Sequence, residues 1–174
     1  MKSIDETIAA GISFPLDEVI SRYAEDQEIS IAAASEHALE AKRYLILCAL
    51  NPTKPYAMRG PIDEFWHTFV TFTTQYFNFC EMVSGRYLHH IPNTSPGIRT
   101  TYRINISNDS ELSREEETVS MRQHYVQMLA DYETTFQSVP PTHLWPRPGT
   151  GDGVQPERCS CACGVCRREC GCIA

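Results

Sequence analysis

Between Pro61 and Pro92 the chain reads PIDEFWHTFVTFTTQYFNFCEMVSGRYLHHIP, and this aromatic-dense stretch limits the fold more than any other. At about 100° per residue, Phe65, Phe69, Phe72, Tyr76, Phe79 and Val83 line up as one apolar stripe. Trp66, Val70, Phe77 and Cys80 widen it until roughly half the circumference is apolar. That width predicts one amphipathic helix at the centre of a bundle. Pro61 suits its first turn, where a missing N–H loses no bond, and Gly85 suits its end. A short polar-aromatic return segment follows the glycine.

Asp63 and His67 fall on the polar edge of this helix, four residues apart, so carboxylate and imidazole can meet. Three roles fit the pair: a structural contact that orients the helix, a metal or ligand site, or catalysis. On a continuous helix Cys80 points well over about 100° away from His67 and lies ~20 Å further along the axis, so the two cannot share a metal. His89 and His90 can fold back near Cys80, but at ~3.4 Å per residue they reach His67 only with difficulty. Other members of a His67 site are therefore expected from another helix, with His37 and His124 as candidates. Asp63, His67, His89 and His90 are the candidate cofactor-binding residues.

Upstream, residues 1–14 read as a loosely held arm. Pro15 opens a short helix with Leu16, Val19, Ile20 and Tyr23 on one face. Ser30 is a good N-cap for a second helix running to Leu50, with Ile31, Ala34, Ala38, Ala41, Leu45 and Cys48 as its stripe. Its alanines allow a close neighbour, and its Tyr44–Leu50 end should be buried. Asn51-Pro52 stops it, because a residue before proline disfavours the helical region. Cys48 reads as a small core hydrophobe. Beyond His90, alternation at Tyr102, Ile104 and Ile106 suggests an extended segment. Ser113-Arg-Glu-Glu116 is a capping box for a helix to about Gln137, with Met121, Tyr125, Met128, Leu129, Tyr132 and Phe136 facing the core. Trp145 marks the domain's edge, and the proline- and glycine-rich run after it reads as a linker.

The formal charge of −7, from 22 acidic against 15 basic side chains, argues against nucleic acid as a partner. No basic run suits an anionic membrane surface. The N-terminal residues carry acids where a signal peptide would be apolar, and no run approaches ~18 apolar residues. A cytoplasmic, reducing location is expected, where cysteines serve as thiols or metal ligands. The three Asn-x-Ser sequons then carry no meaning.

The last sixteen residues contain Cys159, Cys161, Cys163, Cys166, Cys170 and Cys172, six of the chain's 8 cysteines, and no aromatic or leucine. Such a tail offers little apolar burial against ~1–2 kcal/mol of ordering entropy per residue. C-x-C and C-x-x-C spacing suits wrapping a soft or borderline cation, zinc or copper(I). Arg158, Arg167 and Arg168 favour the thiolate. The spacing is not that of a zinc ribbon or finger; its density of C-x-C is closer to metallothionein. Disorder, heterogeneous oxidation, or modification by another enzyme are the competing accounts of the tail.

The sequences D-E-F-W-H-T-F, T-x-x-Y-x-x-F-C and G-R-Y-L-H-H-x-P, with a Tyr132…Pro146 pattern ending in Trp-Pro, resemble the glycine-rich domain-containing protein-like family of plants and bacteria, whose biochemical activity is unknown. The resemblance runs from about Leu45 to Trp145. It implies a helical domain and marks Asp63, Trp66, His67, Cys80, His89 and His90 as family positions. Plant relatives tend to read W-H-x-H, whereas Phe69 fills the second position here, against a two-histidine site on the helix.

The expectation is a mainly α chain: a compact bundle of about four helices with one extended segment (1–146), a flexible linker (147–158), and a disordered or metal-ordered Cys-rich tail (159–174). No nucleophile elbow, P-loop, dinucleotide fingerprint or H-E-x-x-H is present. The leading functional reading is a non-enzymatic protein that handles metal or docks to a protein partner. Its rivals are a metalloenzyme with its site near Asp63 and His67, and a leader domain fused to a cysteine-rich peptide that another enzyme modifies.

Overall fold

The computed structural model describes residues 2–58, 60–90 and 114–148. It is mainly α: among the described residues there are six helices and no strand. They are α1 (Ile4–Ser13), α2 (Asp17–Asp26), α3 (Ile31–Leu50), α4 (Pro61–Thr71), α5 (Thr73–Ser84) and α6 (Arg114–Phe136). The expected extended segment, the Ser113 cap, most of the linker and the cysteine tail lie outside the described residues.

The N-terminal arm is instead a helix. Ser3 Oγ accepts from the Glu6 N–H at 3.1 Å, and the Glu6 carboxylate accepts from the Ser3 N–H at 2.7 Å. This capping box satisfies two donors that α1 would otherwise leave unpaired. The other end is tied to α3, where Lys42 Nζ donates to the carbonyls of Ile12 (2.6 Å) and Phe14 (3.2 Å). Buried Gly11 lets α1 lie directly against Ile46 of α3 and Val83 of α5.

α3 occupies the middle and touches all five other helices, a place the sequence reading gave to the 61–84 stretch. Its small residues Ala34, Ala38 and Ala41 are buried. Tyr44, Leu45, Ile46 and Leu47 are buried in succession, on every side of the helix. Each large apolar side chain so buried contributes ~1.5–3 kcal/mol.

The single central helix is in fact two. Phe72 leaves the helical region at φ −80°, ψ 61°, ending α4 and starting α5. Its N–H closes a short turn onto Phe69 O at 3.0 Å, and Tyr76 N–H then bonds to Phe72 O at 2.9 Å. Threonines crowd this point. Thr71 Oγ1 donates to Thr68 O at 2.7 Å and Thr68 Oγ1 to Glu64 O at 3.3 Å, competing with the helical ladder for its carbonyls. The break wraps the two helices around Phe69, whose ring meets Tyr76 and Phe79 edge-on at 5.0 and 5.6 Å. Among the described residues no helix is long and apolar enough to cross a membrane.

Candidate metal centre

Gly60 caps α4 at φ 67°, a conformation that favours glycine, and Pro61 takes the first helical position. Asp63 and Glu64 then fall in the first turn, where the helix dipole favours carboxylates. His67 follows one turn later on the same edge as Asp63. α5 ends on Gly85 in the left-handed conformation (φ 64°, ψ 17°), which turns the chain back. The five residues 86–90 can reach at most ~17 Å, about the length of the twelve-residue α5.

That return delivers His90 to α4. His90 Nε2 lies 3.0 Å from Asp63 Oδ1, and His67 Nε2 lies 3.8 Å from the same oxygen. The two imidazole rings are 4.5 Å apart. One ligand atom from each of Asp63, His67 and His90 can be chosen so that all lie within 4.8 Å of one another. Donors at ~2.0–2.1 Å from a tetrahedral zinc ion stand ~3.3 Å apart, so the set is close to a ligating arrangement. Its side chains are unequally exposed: 50% for His67, 33% for Asp63 and 16% for His90. The cluster is thus open to solvent on the His67 side. Glu64 Oε2 lies 4.0 Å from His67 Nδ1, on the far side of the ring from Asp63. Burial, the larger influence, and Asp63 raise the Glu64 carboxyl above its usual value, against the pull of His67.

A buried relay stands behind the three. Trp66 Nε1–H donates to the Tyr76 hydroxyl at 3.0 Å, and that hydroxyl donates to the Leu88 carbonyl. The Trp66 ring meets His90 edge-on at 4.4 Å. Trp66 and Tyr76 read from sequence as parts of an apolar stripe. The available signal was their type, since a buried Trp or Tyr brings a polar atom that needs a partner.

The remaining candidates stand elsewhere. His89 is exposed and packs against Tyr87, with ring centres 5.0 Å apart. His37 Nδ1 lies 3.0 Å from the Tyr23 hydroxyl, which donates to Pro61 O at 3.1 Å; it ties α2, α3 and the start of α4 together. His124 is half-buried on α6 and is not a member of the cluster. The expected partner from another helix is replaced by His90 because the break at Phe72 shortens the path that a continuous helix would impose. Cys80 is fully buried and is not a member of the cluster; the continuous helix assumed between it and His67 is broken at Phe72. Burial pushes its thiol up, partly offset by the Leu88 backbone and Tyr76. The six tail cysteines lie outside the described residues.

No curated protein and no solved structure matches the chain. The resemblance to the glycine-rich domain-containing protein-like family is not upheld, since the family model that matches is UCP032817-like, and nothing found indicates a glycine-rich domain family. Of the positions that the resemblance marked, Asp63, His67 and His90 form the cluster and Trp66 packs on His90, whereas Cys80 and His89 are not members of it. The UCP032817-like match also takes in α2 and α3, running over residues 12–130, more than half of the 174. The chain therefore belongs to the uncharacterised UCP032817-like family.

Proposed function

We propose that this is a metal-binding protein whose helical domain holds a divalent transition metal ion, zinc in the first place, on Asp63, His67 and His90. The observation that carries the reading is the convergence of two imidazoles and a carboxylate, from two separate segments, with one ligand atom of each within 4.8 Å of the others. Nitrogen and oxygen donors in that number suit zinc and its neighbours better than magnesium or calcium. Within this reading the cysteine tail is a second metal-binding element, for zinc or copper(I), and the protein handles metal rather than turning over a substrate. A reducing cytoplasmic location goes with it, because it keeps the tail as thiols. The charge of −7 suits a cationic cargo and not nucleic acid. A metalloenzyme is the second reading, favoured by one feature: three protein ligands leave a coordination position open.

Elemental analysis and zinc titration of the anaerobically purified full chain test the proposal. The variants are His67→Ala, His90→Ala, and a chain with serine at all six tail cysteines. Zinc retained by the serine-tail chain and lost on His90→Ala supports the centre. A folded serine-tail chain that binds no zinc overturns it. A mass change on the tail, in a chain without metal from its native host, would transfer the case to the leader-peptide reading. Bound zinc is also expected to raise the melting temperature, by an amount that grows with the logarithm of free zinc.

A further inference from the structure

We infer that Tyr76 is the positioning residue of this centre, acting through the Leu88 backbone to hold His90 against Asp63. The inference rests on the metal-binding reading and adds what sets the centre's affinity. Tyr76 is fully buried and Trp66 is 7% exposed, so neither polar group has water as an alternative partner. A phenol has one proton to give. Here it goes to the Leu88 carbonyl, while the Trp66 indole N–H fills a lone pair on the same oxygen. One hydroxyl thereby joins the side chain next to His67 with the peptide two residues before His90.

The return segment's other holds are the Ser84 hydroxyl on the Arg86 backbone, the Tyr87 ring packed on Tyr76 itself at 5.2 Å, and the Leu88 backbone on Cys80. Gly85, Arg86 and His89 are exposed, and Leu88 is its one buried residue between Gly85 and His90. The Trp66 ring, which the relay keeps in place, also supplies the edge that His90 packs on at 4.4 Å. Hydrogen bonds in a buried chain strengthen one another, and the cost of breaking one is a buried carbonyl left without a donor. Burial pushes the Tyr76 hydroxyl far above its usual value, which keeps it a donor throughout the physiological range. A ligand freed to wander must be ordered again whenever metal binds, and that cost appears as lost affinity.

The test uses the full chain carrying Cys159→Ser, Cys161→Ser, Cys163→Ser, Cys166→Ser, Cys170→Ser and Cys172→Ser, so that thiolates do not compete. Cobalt(II) titration followed by d–d absorption reads affinity and ligand geometry together, with the metal-free melting temperature measured alongside. Tyr76→Phe is expected to weaken cobalt binding roughly 10–100-fold and to change the d–d band. Tyr132→Phe removes another buried hydroxyl, far from the centre in the chain, and should leave both unchanged despite its own loss of stability. If metal-free Tyr76→Phe does not fold, Trp66→Phe takes its place: it removes the indole donor, keeps a ring beside His90, and should weaken binding about tenfold. A folded relay variant with unaltered affinity overturns the inference, as does equal weakening by Tyr132→Phe. Failure of the folded serine-tail parent to bind cobalt at all overturns the metal-binding reading itself, and the inference with it.

Discussion

The Trp145 indole N–H donates to the Glu40 carboxylate at 2.7 Å, joining residues 105 apart in sequence. Glu40 is 2% exposed, and its other bonds come from the Tyr132 hydroxyl (2.9 Å to Oε2) and Arg43 (2.9 Å to Oε1). Tyr132 in turn accepts from Arg43 at 2.6 Å. This buried carboxylate is the polar pin that fastens α6 and the turn after it onto α3.

Removing it leaves the Trp145 and Tyr132 donors buried, and deprives Arg43 of its carboxylate. Glu40→Ala is expected to cost ~3–5 kcal/mol in urea unfolding, the range for breaking a buried pair from one side. Glu40→Gln keeps one acceptor and should cost less, ~1–3 kcal/mol. A Glu40→Ala chain within ~1 kcal/mol of wild type would mean the pin carries no weight.

Gly11 is a packing residue, and its substitution tests how closely α1 is docked. A Cβ there would stand 2.7 Å from Ile46 Cδ1, 2.8 Å from Ile46 Cγ1 and 3.0 Å from Val83 Cγ1. Alanine gains up to ~1 kcal/mol of helix propensity but overpacks the contact at ~1–3 kcal/mol. Gly11→Ala should therefore destabilise by about 1–2 kcal/mol. Adding Ile46→Val removes the nearest methyl and should recover part of the loss, a coupling visible in a double-mutant cycle.

What could be read without coordinates divides along local and non-local lines. The stripe of α3 (apart from Ile31, which is exposed), the stripe of α6 and the Asp63–His67 pair each follow from neighbours in sequence. α1 was also local, because Ser3 and Glu6 spell a capping box, but Gly11 lowers its helix propensity and is explained only by the close approach of α3. The break at Phe72 was hidden by an apolar stripe that runs unbroken across it, since Phe69 and Tyr76 both face the core on either side. His90 was the furthest from view. Its position depends on the break, on the Gly85 turn and on the Tyr76 relay acting together.

The two described cysteines should behave alike. Burial pushes the Cys48 thiol up to about 12, against opposing contacts from Tyr44 and Arg86, and raises the Cys80 thiol as well. At pH 8 a thiol so shifted holds roughly three orders of magnitude less thiolate than a free one. In the serine-tail chain, iodoacetamide should label neither cysteine until denaturant is added. Rapid native labelling of Cys48, read by mass spectrometry, would contradict this.

His37 predicts an acid-side loss of stability with a definite window. Burial is the larger cause of its lowered pKa; Glu36 pulls the value up and His143 pushes it down. Its Nδ1 faces the Tyr23 hydroxyl, whose own proton goes to Pro61 O, so the neutral ring with a proton on Nδ1 fits the site. A lowered folded value means that the unfolded chain takes up the proton first. Stability from this residue is therefore complete above the unfolded value of about 6.5 and falls as pH drops through the folded value. His124 is lowered by burial in the same sense, so only the difference between variants isolates His37. Asp131 acts in a separate window. Burial raises its carboxyl, but bonds from Lys54, Tyr56 and Gln127 outweigh that, and the net value lies below 3.8. Its contribution is lost only in stronger acid. Urea unfolding at pH 7.5 and 5.0 should show wild type losing stability across the interval and His37→Gln losing less. Equal slopes in the two chains would show that His37 is no more easily protonated in the unfolded state than in the fold.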